Sequence, residues 1–496
     1  MSDACGDVFS VEGMLRQALE HYQAGRLEDV ERLCRLMQGC ESVHPLSYFY
    51  LALVWHARGR SDEEEVCYRQ AIAIWPEFVE ALNNLGFLLC EQNRLEDAEV
   101  CSRRVLEIRS DSVDACVCLG VNLHMQGRDS ESETYFCRAL AIDSNCFAAS
   151  LNLGHLKKSI DLSVAEQMYS QAISIKPNSS EVYYHLGGIL FCQGRFEEAE
   201  QVYLQAVGFD FDGWVGHILR DLAIVAWLRN ERDKARMIVE KLAMNCDYSD
   251  MIFLWVRQLI EYYYSSSAVM TGLGENCSRI YVVGDSHCLA AHSHEINFLN
   301  RSFVLNSYYV RGIRMWDLAM PDNNEKKLYV LSVLSRLPPN ATVMFLIGEI
   351  DCRPHGGMFK TARKQAGERR FSDCLEEVIR GTVSGYLAWI SEAINRFNIL
   401  KVIVHGVHAT IYTLAMQRDN PENADDFLQF LQRVNHRLEQ DVLARGWCFL
   451  DAYAATKTEQ GVTNRRWDVD GVHLKPEFYD EAGCWIKRPY SIQTRL

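Results

Sequence analysis

No uninterrupted run of about 18 apolar residues occurs in this chain, so it offers no stretch of bilayer-spanning character. Metal-type cysteine pairs are missing too. The 18 Cys are scattered, none forms a Cys-x-x-Cys pair, and Cys116-Val117-Cys118 is a poor tetrahedral frame. Many lie among Leu and Ala at helical spacing, which predicts small core residues in a reducing compartment. Positive charge is in deficit: 51 Lys and Arg face 66 Asp and Glu, a net charge of −15. That balance speaks against a broad nucleic-acid footprint and against a polybasic membrane contact. Proline is scarce at 10 residues, and with 48% hydrophobic and 24% charged residues the composition is that of a soluble globular protein. The first residues, Met1-Ser2-Asp3-Ala4-Cys5-Gly6-Asp7, lack the basic and apolar regions of a secretory leader. These absences predict a cytoplasmic protein with no membrane span, no nucleic-acid partner and no cofactor. At 496 residues, two or three domains are expected.

What is present is, first, a period. Gly25-Arg26-Leu27-Glu28-Asp29 recurs as Gly59-Arg60-Ser61-Asp62-Glu63, Asn93-Arg94-Leu95-Glu96-Asp97 and Gly127-Arg128-Asp129. It continues at Ile160-Asp161-Leu162, Gly194-Arg195-Phe196-Glu197-Glu198 and, more loosely, Asn230-Glu231-Arg232-Asp233. Ahead of most of these turns sits a Leu-Gly pair: Leu85-Gly86, Leu119-Gly120, Leu153-Gly154, Leu186-Gly187. Each unit reads as helix, tight turn, helix. The Leu-Gly glycine lets two helices approach closely, and the turn Gly or Asn accepts positive φ. One such hairpin cannot bury its apolar face, so units stack. The pattern resembles the tetratricopeptide repeat (TPR) family over residues 9–245, in about seven helix pairs. The resemblance implies a concave groove for a protein or glycoconjugate partner. Asn84 and Asn152, two residues before their Leu-Gly glycines, stand where related arrays hold an extended backbone, while Cys118 and His185 fill the alternate repeats. Polar residues that merely solvate the groove are the other reading of both asparagines.

The pattern changes after residues 246–277, a stretch expected to hold a connecting helix and a linker. Beyond it, short apolar runs alternate with helical segments. Strands are predicted at Ile280–Val283, Ser302–Leu305, Thr342–Ile347, Leu400–Val404 and Cys448–Asp451, and helices at Glu325–Arg336, Leu375–Phe397 and Ala424–Arg445. Runs of this length joined by helices predict a parallel sheet covered on both faces, with ligands at the carboxyl ends of its strands. Polar residues gather at those ends: Gly284-Asp285-Ser286-His287, Gly312, Gly348-Glu349-Ile350-Asp351-Cys352-Arg353-Pro354-His355, His405-Gly406-Val407-His408 and, near the terminus, Asp470-Gly471-Val472-His473. A hydroxyl presented where a strand ends and a helix begins is a sound place for a nucleophile, because backbone N–H groups and the helix N-terminus are at hand for negative charge.

Residues 278–496 resemble the SGNH (GDSL-type) hydrolase superfamily. Gly284-Asp285-Ser286 matches its nucleophile block, Gly312 its second-block glycine, and Asp470-Gly471-Val472-His473 its terminal Asp-x-x-His. The resemblance implies a three-layer α/β/α fold of flavodoxin-like order and a serine esterase or O-acyltransferase. Ser286 would be the nucleophile, His473 the base and Asp470 its orienting acid. The oxyanion would be held by Ser286, Gly312 and Gly348, with Arg353 as a further donor. His287, Glu349, Asp351, His355 and His408 would face an ester-bearing substrate, with acetyl esters on carbohydrates a common class. One departure stands out: the family's third-block asparagine is replaced by Ile350. Losing one donor from such a hole costs about 3 kcal/mol. A salt bridge of Arg353 to Asp351 or Glu349 is the plainer role for that side chain.

Two rival readings remain. A metal-dependent phosphoesterase would use Asp285 and His287, Glu349 and Asp351, and His405 and His408 as ligands, but it lacks a Gly-Asn-His motif and leaves Asp470 and His473 idle. A non-catalytic scaffold with a decayed hydrolase domain is the other, and Ile350 is its main support.

Overall fold

A computed structural model describes residues 11–39, 43–209, 213–245, 251–265, 278–298, 301–348, 350–353, 357–367, 369–409, 421–460, 462–467 and 473–489. Fourteen helices, paired by tight turns, occupy the first half: α1 (Val11–Gln23), α2 (Leu27–Gln38), α3 (Pro45–Ala57), α4 (Ser61–Ile74), α5 (Val79–Glu91), α6 (Leu95–Ile108), α7 (Val113–Met125), α8 (Asp129–Ile142), α9 (Phe147–Lys157), α10 (Leu162–Ile175), α11 (Ser180–Cys192), α12 (Phe196–Val207), α13 (Val215–Leu228) and α14 (Arg232–Asn245). A fifteenth, Met251–Ser265, lies in the expected linker, whose other residues fall outside the described ones. The chain divides into two compact units. One comprises residues 1–157 and 167–177, the other residues 158–166 and 178–496. The division between the two compact units falls inside the repeats.

In the first unit the turns behave as their residues require. Asn93 takes φ +59° and Gly127 φ +75°, conformations that cost a residue with a larger side chain. The Leu-Gly glycines do separate work. A Cβ on Gly120 would stand 2.6 Å from the Phe136 ring, and one on Gly154 would stand 2.7 Å from that of Tyr169. Both rings are almost fully buried, so each fills the space that its glycine leaves. At Gly86 the facing side chains are Cys101, Ser102 and Cys118, no closer than 3.3 Å.

The turn arginines carry a second regularity. Arg94 Nη1 lies 2.8 Å from Glu65 and Arg128 Nη1 2.9 Å from Glu99, in each case reaching back to the preceding helix pair. In the second unit Arg195 meets Glu166 at 2.7 Å in the same way, and Arg229 approaches Glu200 at 3.5 Å. Exposed pairs of this kind are worth about 0–1 kcal/mol each, so they set register more than stability. Where the turn carries Asp161 instead of Arg, that carboxylate caps α10, accepting the Ser163 N–H at 2.9 Å and the Val164 N–H at 3.2 Å.

The second unit holds a seven-stranded mixed sheet. Its strands are β1 (Ser278–Gly284), β2 (Glu295–Phe298), β3 (Arg301–Tyr309), β4 (Thr342–Leu346), β5 (Lys401–His405), β6 (Cys448–Leu450) and β7 (Ile486–Lys487), ordered β2-β3-β1-β4-β5-β6-β7. β1 pairs in parallel with β3 and β4, β4 with β5, and β5 with β6. The edges are antiparallel: β2 on β3 and β7 on β6. Consecutive buried residues, Val343–Leu346 and Val402–His405, point to alternate faces, so both faces are covered. The connections run through helices, the longest being Phe371–Arg396 and Pro421–Ala444. Chain order reverses at β1, which makes its carboxyl end the switch point of the sheet. The five expected strands are present with shifted ends. The two edge strands are additions, too short to show a period, and helix Gly357–Ala366 was hidden behind its Gly-Gly start.

The glycine–aromatic contact is testable. Gly120→Ala should destabilise the protein by about 1–3 kcal/mol, since the Phe136 ring has nowhere to go. Gly86→Ala should stay within about 1 kcal/mol of wild type, its contact offset by the better helix propensity of Ala. Urea unfolding of the two variants measures both, and equal losses would remove the ring as the cause.

Candidate active site

At the carboxyl end of β1 the chain runs into a contact that only glycine allows. A Cβ on Gly284 would stand 2.2 Å from the Leu346 carbonyl oxygen of β4. The Gly284 carbonyl accepts the Val310 N–H at 2.7 Å, and the Asp285 N–H donates to Leu346 O at 3.3 Å. Three strand ends are thereby tied together. Ser286 follows, half-buried, just before the short helix Cys288–Ala291.

Ser286 Oγ lies 3.0 Å from His473 Nε2, a contact that spans 187 residues of sequence. With Nε2 facing the hydroxyl, Nδ1 of His473 is the position an orienting acid would take. Asp470, expected in that role, lies outside the described residues, as do Glu349 and His355. Beside His473 sits the ring of His287, with centroids 4.7 Å apart and a 31° tilt. His408 meets the other ring of that pair, His287, at 4.7 Å and 62°.

His287 and His408 were expected to face substrate, yet they are buried to 1% and 2% exposure. His287 is turned inward by Asp285: its Nδ1 lies 2.8 Å and its backbone N–H 3.1 Å from Asp285 Oδ1. Burial alone would raise the Asp285 carboxyl, but the adjoining His287, through its charge and both hydrogen bonds, and the charge of His473 hold it below the usual carboxylate range. The two histidines thus form a layer behind His473.

Asp351 also departs from its expected place at the substrate. It is fully buried, and its Oδ2 accepts the Met315 N–H at 2.6 Å while Oδ1 accepts the Trp316 N–H at 3.3 Å. These are free donors at the N-terminus of helix Met315–Ala319. Both oxygens thus engage backbone, and the side chain lies in the interior rather than on the surface. Burial pushes its carboxyl up to about 7, against the pull of the two N–H donors. Arg353 itself is half-buried.

Gly312 takes φ +61°, with open space where a Cβ would be. Gly348, at φ +137°, is pressed against Met315 and Val407, where a Cβ would lie 2.8 Å from Met315 Cε. His405 is buried with Nδ1 2.6 Å from the Gly406 carbonyl, and burial lowers it to about 4. Its neutral Nδ1–H therefore donates to that carbonyl, while its Nε2 is buried with no hydrogen-bond partner among the described residues. Sequence reasoning also missed Asn435, whose Nδ2 donates to Val407 O at 3.0 Å and fixes the end of β5. In the repeats, Asn84 Nδ2 donates to Tyr68 Oη at 3.1 Å and Asn152 Nδ2 to Ala148 O at 2.8 Å, so both amides are used inside the array.

Asp351 offers a pH test. A carboxyl raised to about 7 when folded, against about 3.9 unfolded, binds its proton more tightly in the folded state. Wild-type stability relative to Asp351→Asn should therefore fall as pH rises from about 4 to about 7, and then level off. Paired denaturation curves across that range measure it. A difference that grows with pH would show that the N–H donors outweigh burial.

Two tetratricopeptide repeat family models match the sequence, over residues 79–111 and 159–212. No curated protein matches it. Among solved structures the chain is similar to PilF of Pseudomonas aeruginosa, at 18% identity and TM-score 0.38, over 45% of this chain and 97% of that one. A tetratricopeptide repeat protein from Parabacteroides merdae is similar at 17% identity and TM-score 0.39, over 51% and 98%. MamA is similar at 22% identity and TM-score 0.30, over 32% and 94%. No helix among the described residues is long and apolar enough to cross a membrane. The N-terminal half of the chain is an array of tetratricopeptide repeats, followed by a domain built on a mixed sheet.

Proposed function

We propose that the sheet domain is a serine esterase of the SGNH (GDSL-type) kind, acting on small acyl esters of a carbohydrate or glycoconjugate. The repeats dock its protein or glycoconjugate partner. The observation that carries the reading is the 3.0 Å contact of Ser286 Oγ with His473 Nε2 at the switch point of the sheet. Two further features support it. The five parallel strands run 2-1-3-4-5 when numbered among themselves, which is the flavodoxin-like order. The second-block glycine, Gly312, has the open, left-handed backbone that a donor of its N–H to an oxyanion can use.

In this mechanism His473 Nε2 takes the Ser286 proton as Oγ attacks the acyl carbon. The backbone N–H groups of Ser286, Gly312 and Gly348 hold the oxyanion. His473 then returns the proton to the departing alcohol. Water, or an acceptor hydroxyl in a transferase, releases the acyl group by the same path in reverse. Asp470 orients His473, and the buried Asp285–His287 pair supports the ring from behind. Ile350 supplies no side-chain donor, and Arg353 is the replacement.

Ser286→Ala should lower turnover of p-nitrophenyl acetate by at least about 10³-fold and abolish fluorophosphonate labelling, with the fold intact. Turnover near the wild-type level in that variant rejects the mechanism. Arg353→Ala should lower kcat with KM unchanged, and an unaltered kcat removes Arg353 from the oxyanion site. The second reading, a scaffold with an inactive hydrolase domain, is favoured by Ile350 alone. It is the outcome if the wild-type protein neither labels nor turns over ester.

A further inference from the structure

Helix α13 is buried all round. Gly216 and every residue from Ile218 to Leu228 are buried, whereas a helix of a repeat normally shows one wet face. The extra cover comes from the loops beside Ser286. On one side, Trp227 Nε1 donates to the Leu289 carbonyl at 2.9 Å, in the helix that follows the serine. One turn later, Ser293 Oγ donates to Asn230 Oδ1 at 2.7 Å. On the other side, Arg311, the residue before Gly312, reaches into the repeats. Its Nη1 donates to Tyr184 Oη at 2.6 Å, and its Nη2 to the carboxylate of Asp221.

Asp221 is built to hold such a guanidinium. It is 3% exposed and also accepts from Arg220 Nε at 2.9 Å and from Tyr203 Oη at 3.3 Å. A buried carboxylate with its oxygens taken by donors is fixed in direction, and so is the arginine it grips. Aromatic contacts continue the seam: Phe191 meets Tyr309 with ring centroids 6.0 Å apart, and Phe196 stacks on Tyr308 at 6.4 Å. The turn at Gly312 is thus pinned twice. Val310 N–H holds it to the Gly284 carbonyl, two residues before the serine, and Arg311 holds it to α13.

We propose that Arg311 is a positioning residue for the esterase site: Asp221 and Tyr184 of the repeats clamp it, and through it they aim the Gly312 N–H at the oxyanion. This rests on the reading of Ser286 and Gly312 as nucleophile and oxyanion donor. The repeats are then a working wall of the site as well as a docking surface. Arg311 touches no reacting atom. Its effect is orientation, and orientation errors of about 1 Å can cost on the order of 10²-fold in rate.

The test uses the full-length protein, p-nitrophenyl acetate and amide hydrogen exchange. Arg311→Lys keeps the charge opposite Asp221 but loses the fork that also reaches Tyr184. It should lower kcat on the order of 10–10²-fold with KM unchanged, and speed exchange across residues 310–316. Tyr184→Phe, which removes a single hydroxyl and leaves every charge paired, should give a smaller fall in the same direction. A wild-type kcat in both variants overturns the proposal. So does a lowered kcat accompanied by unchanged exchange at 310–316. If wild type neither turns over nor labels at Ser286, the esterase reading has failed instead. Exchange at 310–316 in the two variants then still decides whether the repeats hold this turn.

Discussion

Everything at the sheet's carboxyl edge depends on one close approach, that of Gly284 to the Leu346 carbonyl. With 2.2 Å between that oxygen and any Cβ, a side chain at residue 284 would push β1 and β4 apart where the chain leaves the sheet. The same residue accepts the Val310 N–H, and the next donates to Leu346. Separating those strands would therefore move Ser286 and the Gly312 turn together. Glycine here is required by backbone proximity, which is a different demand from the positive φ that explains Gly127 or Asn93.

Around that point the structure repeatedly uses buried polar groups to fix backbone. Asp351 holds the first turn of Met315–Ala319, Asn435 holds the Val407 carbonyl, Asp285 holds His287, and Asp221 holds Arg311. All but the local Asp285–His287 pair join chain segments that strand pairing does not bring together. These bonds rigidify the backbone they hold, although Asp285 Oδ2 and Asn435 Oδ1 are buried with no partner among the described residues. A parallel sheet offers only loops at its carboxyl edge, so rigidity there has to come from side chains.

Much of this was legible in the sequence, and the reason is period. Repeats announce themselves because the turn, the Leu-Gly pair and the apolar stripe recur together. The core strands show as apolar runs because both of their faces are buried. Ser286 is legible as a hydroxyl at a strand end, whereas Gly312 and His473 stand out only through the resemblance of their blocks. Direction is not legible. Asp351, His287 and His408 sit in the expected blocks, yet all three are buried, Asp351 accepting backbone N–H groups and His287 held by the Asp285 carboxylate. Whether a polar side chain faces solvent or supports backbone depends on neighbours far off in sequence. The edge strands escaped for a simpler cause: four residues in β2 and two in β7 leave no alternation to see.

Helix α13 shows the same limit in its sharpest form. From Ile218 to Leu228 the sequence reads as one more apolar helix of the array. Arg220 and Asp221 interrupt it, and in an exposed helix that neighbouring pair would be unremarked surface charge. Here both are almost fully buried, and the carboxylate faces two guanidinium groups and a tyrosine hydroxyl. What makes the pair a buried clamp is Arg311, 90 residues further along the chain, which no local pattern around Asp221 announces.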